Sequence, residues 1–360
     1  MLDLDNFLRM AIAQGVSDIH LRVGLPPVLR KDGDMIITKI PALTEEALQL
    51  FIKKIIPDRI VPRLRNKTDF DFSFMMDELC RFRVNLFYEM GQVGLVMRLI
   101  TLDIPEIETL GHPSVVRKLA EFHKGLVLVT GPTGSGKSTT LAALLNTINL
   151  EQKKHIVTLE DPVEYVYRSK QSVVTQRQLG IDTDTFPNGI KYALRQDPDV
   201  ILIGEMRDRE TMLAALHAAE TGHMVYSTLH TTDSVQTIHR IINAFEPYER
   251  DAIRHQVAQV LQGTLSQRLV KRNEGRGRIA VAEIMLVSPA IRDYVIREQT
   301  EEIYQLLTSS AFEGIKSLNH SLYLAVKNNL IKPEDALANS ENETELQQML
   351  RGAFHGTNTY

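Results

Sequence analysis

The chain has 360 residues, of which 43% are hydrophobic and 24% are charged, and its formal net charge is −4. This length predicts about two domains that each bury a core, and the absence of a basic surplus argues against a protein that coats nucleic acid. No hydrophobic run approaches the ~20 residues of a membrane span, and the first residues are acidic, unlike those of a signal peptide. The single cysteine, Cys80, excludes an internal disulfide and a cysteine-based zinc site. We therefore expect a cytoplasmic protein.

The first hundred residues predict a small α+β domain, residues 1–100. Hydrophobic residues at helical spacing predict a helix over 4–13, and Thr44 is placed to cap a second helix over 45–55. Alternating hydrophobic and polar residues predict strands at 17–23, 69–74, 81–87 and 93–100. Helices and strands in this proportion, without regular alternation, are typical of an α+β domain.

The rest of the chain predicts a larger α/β domain. A linker over 101–112 contains proline and glycine, and the core over 113–288 alternates helices with short hydrophobic strands at 155–159, 200–203 and 224–228. Such strands are typical of a parallel sheet that is buried on both faces, which indicates a doubly wound core. Residues 289–360 have a helical pattern, with a capping box at Asn342 and Glu345.

The sequence GLVLVTGPTGSGKSTTLAALL over 125–145 predicts a strand, a glycine-rich loop and a helix in direct succession. A loop of this kind holds phosphate oxygens with backbone N–H groups at the positive end of the helix. Lys137 is placed to reach the β- and γ-phosphates and Ser138 to bind Mg²⁺. The chain is therefore expected to bind a nucleoside triphosphate through Gly131, Pro132, Thr133, Gly134, Ser135, Gly136, Lys137, Ser138 and Thr139.

Three carboxylates follow the predicted strand 155–159, namely those of Glu160, Asp161 and Glu164. At the carboxyl end of a parallel strand they are candidates to bind Mg²⁺ or to orient water, although helix capping and a solvated turn explain them equally well.

Glu205 follows the strand 200–203, in the position of a Walker B motif. The residue before it, which is usually acidic, is Gly204, so Glu205 is expected to polarise the attacking water. Any metal is then expected to be held through Ser138, water and the preceding carboxylates.

Two histidines bracket the strand 224–228. His230 lies at its carboxyl end, where it can sense the γ-phosphate, and His223 lies before its first residue. The alternative is that each histidine is a structural hydrogen-bonding group.

Four segments occur in order along the chain: GPTGSGKST, TLEDPVEY, DPDVILIGEMRD and AETGHMVYSTLHTTD. Together they resemble the secretion and type IV pilus ATPase superfamily, and SDIHLRVGLPPVLRKDG and RFRVN near the N-terminus resemble its retraction ATPases of twitching motility. The resemblance implies a PAS-like N-terminal domain, a RecA-like P-loop ATPase domain with a helical C-terminal region, and a homohexameric ring. It also implies ATP and Mg²⁺ as ligands, and an inner-membrane pilus platform protein as the partner that brings the chain to the cytoplasmic face of the membrane.

The resemblance assigns roles to the candidate residues. It implies an Asp box of Glu160, Asp161 and Glu164, the catalytic Glu205, and a His box of His223 and His230. The family also supplies arginines from the N-terminal domain to the nucleotide, and the matching basic positions are Arg81, Arg83 and Arg98. Which of these three contacts phosphate is left open.

One segment departs from the retraction pattern. Retraction ATPases typically carry an AIRNL-type motif, whereas residues 290–295 read AIRDYV. This leaves an accessory retraction paralogue as an alternative. An assembly or secretion ATPase is a second alternative, disfavoured because those proteins usually carry a tetracysteine zinc site and a longer N-terminal region. A kinase, a nucleic-acid translocase and a nucleotide-gated partner without hydrolysis are less consistent with these motifs.

Overall fold

The structure, a computed structural model, describes residues 4–31, 33–57, 61, 69–76, 80–100, 103–274, 277–309 and 314–352. The chain divides into two compact units, Met1–Asp103 and Ile104–Tyr360. Their boundary lies inside the predicted linker 101–112, of which residues 101 and 102 lie outside the described ranges. Within these ranges, no helix combines the length and the hydropathy that crossing a membrane requires.

The first unit contains an antiparallel sheet in the order β3-β2-β1-β6-β5-β4. The described elements are α1 (Leu4–Ala13), β1 (Asp18–Arg22), β2 (Val28–Lys31), β3 (Asp34–Ile37), α2 (Glu45–Ile55), β4 (Phe70–Met76), β5 (Cys80–Glu89) and β6 (Gln92–Ile100). Both predicted helices are confirmed, and the Thr44 hydroxyl caps α2 by accepting a hydrogen bond from the Ala47 N–H at 3.2 Å. The predicted strands are confirmed with ends that move by one or two residues.

The second unit contains a mixed sheet in the order β14-β13-β12-β7-β11-β10-β8-β9, in which the strands from β12 to β9 are parallel. Two short 3₁₀ helices, Ile107–Leu110 and Ser114–Ala120, precede it. The strands are β7 (Gly125–Thr130), β8 (His155–Glu160), β9 (Val173–Gln178), β10 (Val200–Ile203), β11 (Met224–Leu229), β12 (Leu261–Lys271), β13 (Arg278–Leu286) and β14 (Ile315–Lys316). The helices are α3 (Lys137–Glu151), α4 (Phe186–Ala193), α5 (Arg209–Glu220), α6 (Ser234–Ile242), α7 (Arg250–Val260), α8 (Pro289–Ile296), α9 (Thr300–Ser309), α10 (Leu318–Lys327), α11 (Pro333–Ala338) and α12 (Glu343–Leu350).

Both faces of the parallel sheet are buried, which explains the uninterrupted hydrophobic run of β7. Leu126 and Leu128 belong to a core shared with α5, α6 and α7, whereas Val127 and Val129 belong to a second core shared with α3. Because successive side chains of a strand point to opposite faces, one strand supplies both cores. This burial fixes β7 in the middle of the sheet and therefore fixes the loop that follows it.

The C-terminal segment differs in one detail from the helical pattern predicted for it. The two-residue strand β14 pairs with β13 between helices α9 and α10. The Asn342 side chain accepts a hydrogen bond from the Glu345 N–H at 3.1 Å, which confirms the cap. The Glu345 carboxylate accepts from the Asn319 side chain at 2.6 Å, and so ties α12 to α10.

Candidate functional site

The glycine-rich loop follows the carboxyl end of β7, and Lys137 is the first residue of α3. Gly131 and Gly136 have φ values of 137° and 89°, a region that favours glycine. A Cβ atom on Gly131 would lie 2.3 Å from the Gln267 carbonyl oxygen, so no larger residue fits there. The loop therefore curls tightly at the positive end of α3, where backbone N–H groups bind phosphate.

Two further observations fit a phosphate ligand in this loop. The Lys137 ammonium donates hydrogen bonds to the carbonyl oxygens of Gly131 at 2.9 Å and Pro132 at 3.0 Å, so it lies across the loop. Burial lowers the pKa of Lys137, and the nearby carboxylates of Glu205 and Glu164 oppose that shift. The Ser135 hydroxyl is buried without a hydrogen-bond partner among the described residues, and a phosphate oxygen would satisfy it.

The remaining residues of the predicted nucleotide-binding set lie in the loop itself or in the first turn of α3. Pro132, Thr133 and Gly134 are exposed, and Ser138 and Thr139 are half-buried in the first turn of α3. The Thr139 hydroxyl lies 2.9 Å from the hydroxyl of Tyr165. Tyr165 follows the acidic segment and was not singled out by the sequence, so this contact ties that segment to the loop helix.

The structure brings Glu205 and His230 together. Glu205 follows β10, His230 follows the adjacent parallel strand β11, and His230 Nε2 lies 3.2 Å from Glu205 Oε2. Arg207 forms an ion pair with the other carboxylate oxygen of Glu205. A carboxylate, an imidazole and a guanidinium therefore meet at the sheet edge that carries the glycine-rich loop, and a carboxylate in that place can orient a water molecule.

Glu160 has a different environment from the one expected of a metal ligand. It is buried, and its carboxylate accepts hydrogen bonds from the Thr158 hydroxyl at 2.6 Å, the Gln176 amide at 3.2 Å and the Glu164 N–H at 3.2 Å. Burial raises its pKa, which favours the protonated form. These contacts hold the end of β8 against β9 and shape the turn after it.

The other two predicted magnesium ligands, Ser138 and Asp161, are accessible, and so is Glu164, which the resemblance places among the catalytic residues. Asp161 and Glu164 are exposed and Ser138 is half-buried, and all three offer the oxygen atoms that Mg²⁺ prefers. Among the described residues, no group of three or more His, Cys, Asp or Glu side chains is arranged to hold a metal by itself. The donors present therefore fit an ion that arrives with nucleotide phosphates, held in part by Ser138.

The structure does not bring His223 to the loop. His223 precedes β11 and its Nδ1 lies 3.0 Å from the Ala218 carbonyl oxygen, whereas the loop and His230 lie at the opposite, carboxyl end of the sheet. Six strand residues separate the two histidines by roughly 20 Å. Its position therefore gives no support, within one chain, to the predicted contact between His223 and the nucleotide.

The three predicted arginines lie in the first unit. Arg83 on β5 is exposed and directly opposite Arg98 on β6, and Arg81 lies two residues before Arg83 on the same face of the sheet. Arg98 donates to Asp18 at 2.8 Å, so its charge is compensated within the unit. Arg83 and Arg98 are thus both exposed, and they differ in that the Arg98 charge is already paired with Asp18.

Sequence reasoning missed Gln267. It lies on β12 directly after Ser266, which pairs with the last residue of β7, Thr130. Its side chain donates to the Ser135 carbonyl at 2.6 Å, inside the glycine-rich loop. A glutamine in a strand has no sequence signal that separates it from an ordinary polar position, so only the strand order reveals this contact.

A parallel sheet with this loop at its carboxyl edge, and with Glu205 and His230 beside it, defines a RecA-like P-loop domain that binds nucleoside triphosphates. Residues 2–328 match the family model described as "Type II/IV secretion system protein". The chain is 41% identical over 335 residues to the type IV pilus retraction ATPase PilT of Pseudomonas aeruginosa, covering 93% of this chain and 97% of that one. It is 34% identical over 351 residues to the type IV pilus ATPase PilU of the same species, covering 97% and 92% respectively.

A crystal structure of the pilus retraction motor PilT with bound ADP matches this fold with a TM-score of 0.90 at 41% identity, covering 97% of this chain and 100% of that one. The chain therefore belongs to the type II/IV secretion system protein family, and its likeness over nearly its full length is to PilT-type members. The resemblance that the four sequence segments indicated is confirmed.

Proposed function

We propose that this chain is an ATP-hydrolysing motor that powers type IV pilus retraction, the basis of twitching motility. The observation that carries the proposal is the agreement, over nearly the whole chain, with a retraction motor whose structure holds ADP. The loop at Lys137 and the carboxylate of Glu205 supply the phosphate-binding and water-orienting groups that ATP hydrolysis requires.

In the proposed reaction, water attacks the γ-phosphorus and the bond to the bridging β,γ oxygen breaks, which yields ADP and phosphate. Lys137 and the loop N–H groups hold the β- and γ-phosphates, and Glu205 orients the water and takes its proton. His230, 3.2 Å from Glu205, fixes the orientation of that carboxylate. Ser138, with Asp161 and Glu164 through water, would hold Mg²⁺, which when bound neutralises charge on the phosphate oxygens.

The motor is further proposed to act as a homohexameric ring. A cation has to stabilise charge on the transferred phosphoryl group from the side opposite the loop. Arg83 is the favoured candidate because it is more exposed than Arg81 and, unlike Arg98, which is also exposed, is not paired with Asp18; Arg81 and Arg98 are the alternatives. Supplied by the N-terminal unit of a neighbouring chain, such an arginine makes hydrolysis depend on closure of the interface between two chains.

The proposed place of action is the cytoplasmic face of the inner membrane. The partner there is the pilus platform protein, which would receive the force and hold the ring peripherally at the membrane. The net charge of −4 fits a protein partner and not nucleic acid.

The segment 290–295 supports an accessory retraction motor as the second candidate. In α8, Ile291 and Val295 are buried, and Arg292 donates to the carbonyl oxygens of Ala258 at 2.5 Å and Gln259 at 2.8 Å. The unusual Asp293 lies 3.1 Å from Arg297, so its charge is paired at the surface. The fold thus accepts the altered motif, and the surface it presents differs from that of the AIRNL type.

A deletion strain scored for surface pili and twitching tests the proposal. A retraction motor predicts excess surface pili without movement, and complementation by the wild-type chain but not by Glu205→Gln. Partly impaired twitching that overexpression of another retraction ATPase restores would indicate the accessory role. Cells without pili would contradict retraction and indicate assembly.

A further inference from the structure

Gln267 contacts the glycine-rich loop at both of its ends. Its carbonyl oxygen approaches Gly131 so closely that a Cβ atom there would lie 2.3 Å away, and its side-chain nitrogen lies 3.0 Å from the Cβ position of Gly136. The side chain is 1% exposed, and its Nε2 donates to the Ser135 carbonyl at 2.6 Å. One residue of β12 thus braces the whole loop from outside the motif.

The bond to Ser135 determines where the next N–H group points. Because the peptide unit is planar and trans, the Ser135 carbonyl and the Gly136 N–H point in opposite directions. Holding the carbonyl against Gln267 turns the Gly136 N–H away from β12, toward the side of the loop where phosphates bind. Gly136 has a φ of 89° and no side chain, and glycine adopts a wider range of backbone angles than other residues, so this bond restricts a peptide that could otherwise take other orientations.

Gln267 is itself held in one orientation. A carbonyl only accepts, so the amide nitrogen must face Ser135 and the amide oxygen must face Thr140, whose hydroxyl donates to that oxygen at 2.9 Å. The Thr140 hydroxyl has then used its proton and can only accept from His112 Nε2 at 3.3 Å. Nε2 of His112 therefore carries a proton, and burial, which lowers the pKa of this imidazole to about 4, keeps the ring neutral with Nδ1 unprotonated.

From these contacts we infer that Gln267 is a positioning residue for nucleotide binding, oriented by Thr140 and His112, which aims the Gly136 N–H at the phosphates. Gln267 contacts the backbone of the loop and is not expected to contact the reacting atoms or the nucleobase. Its effect should therefore be on the affinity of the loop for phosphate groups. This inference rests on the proposed nucleotide site.

The test uses the purified full-length chain and measures dissociation constants for ADP and for inorganic pyrophosphate, together with the thermal unfolding midpoint. Gln267→Met keeps the shape and removes both hydrogen bonds, and it is expected to weaken both ligands by about tenfold. Gln267→Glu keeps the acceptor for Thr140 but cannot donate to Ser135 when ionised, and should bind as weakly as Gln267→Met. Thr140→Val should weaken the binding of both ligands by about threefold. Because Thr140 acts through Gln267, the double variant Thr140→Val with Gln267→Met should bind both ligands as tightly as Gln267→Met alone.

Gln152→Leu is the matched control. Gln152 also donates its amide to a backbone carbonyl, that of Ala120 at 2.9 Å, but at the far end of α3. Gln152→Leu should lower the thermal unfolding midpoint by about as much as Gln267→Met does, and it should leave both dissociation constants within twofold of wild type.

Three outcomes would overturn the inference. The first is a folded Gln267→Met chain that binds ADP within twofold of wild type, and the second is a Gln267→Met chain that loses affinity for ADP but not for pyrophosphate. The third is a loss of ADP affinity in Gln152→Leu that equals the loss in Gln267→Met. If Gln267→Met does not fold, Thr140→Val decides, and unchanged affinity in that variant overturns it. A wild-type chain that binds neither ligand contradicts the proposed nucleotide site itself, which separates the two failures.

Discussion

His230 Nε2 lies 3.2 Å from Oε2 of Glu205, although the two residues are 25 positions apart in the chain. The contact exists because β10 and β11 are parallel neighbours, so the residues that follow each strand meet at one edge of the sheet. Glu205 is mostly buried and His230 is half-exposed, with side-chain exposures of 17% and 48%. The imidazole and Arg207 thus hold the carboxylate from two sides, and Glu205 is the group whose replacement should separate binding from hydrolysis.

Glu205→Gln keeps the shape of the side chain but removes its ability to take a proton. We expect ATP binding to be retained and turnover to fall by ~10²-fold or more, the scale of a lost general base. Binding and steady-state hydrolysis assays on the same preparation measure this. Glu210→Gln, at an exposed position on α5, is the matched control and should have wild-type turnover. Equal losses of binding and turnover in Glu205→Gln would show a structural role or a metal-binding role instead.

Lys137→Ala removes the ammonium that lies across the loop. Because that charge meets the β- and γ-phosphates, both nucleotide affinity and turnover should collapse, by roughly 10²-fold or more for turnover. Calorimetric titration with ADP and a phosphate-release assay measure the two quantities. Lys153→Ala, at an exposed position just beyond α3, should change neither. Near-normal hydrolysis by Lys137→Ala would contradict the assignment of the loop.

Local patterns predicted the loop and Glu205, because these residues lie in a continuous motif or directly after a short hydrophobic strand. They predicted less where a side chain's role depends on which strands are neighbours. Glu160 and Asp161 are adjacent in sequence, yet Glu160 is buried under Gln176 of β9 and Asp161 is exposed. Gln267 reaches the loop only because β12 lies beside β7 in the sheet. The spacing of hydrophobic residues predicts individual strands but not which strands are neighbours, so the sequence carries no signal for this contact.

Glu283 should make the stability of the second unit depend on pH. Its carboxylate accepts hydrogen bonds from the Ser234 N–H at 2.7 Å and the Ser234 hydroxyl at 2.6 Å, at the start of the helix that follows His230. Burial raises the pKa of Glu283 from the ordinary value of 4.5 to about 7, with Glu341 and Asp233 adding to the shift and the Ser234 bonds opposing it. Between these values the folded chain binds more protons than the unfolded chain, so stability is greatest at the acidic end and falls as pH rises to about 7.

Glu283→Gln removes the ionisation and should flatten this dependence. We expect the free energy of unfolding of the wild type, obtained from denaturant titrations at intervals from pH 5 to pH 8, to fall more steeply than that of the variant. The difference across the window should be on the order of 3 kcal/mol. Glu334→Gln, an exposed change on α11, should keep the wild-type slope. Parallel slopes for Glu283→Gln and the wild type would show that Glu283 does not titrate in this range.

Mixed rings test whether hydrolysis needs two chains. If Arg83 acts on the nucleotide of a neighbour, Arg83→Ala and Lys137→Ala chains are each inactive alone. Mixing them creates some interfaces at which an intact Lys137 faces an intact Arg83, so part of the wild-type activity should return. The reason is electrostatic: Lys137 neutralises the triphosphate from the loop side, and the transferred phosphoryl group still needs a cation from another direction.

The control mixture combines Lys137→Ala with Glu205→Gln. Both residues lie in the second unit and act on the nucleotide of their own chain, so every site in that mixture lacks one of them and should stay inactive. Activity is measured by phosphate release after the mixed chains are reassembled, with ring formation confirmed by light scattering. A mixture of Arg83→Ala and Lys137→Ala that forms rings and stays inactive would refute the assignment of Arg83. The required cation would then be Arg81 or Arg98 from a neighbour, or Arg207, which already pairs with Glu205 in the same chain.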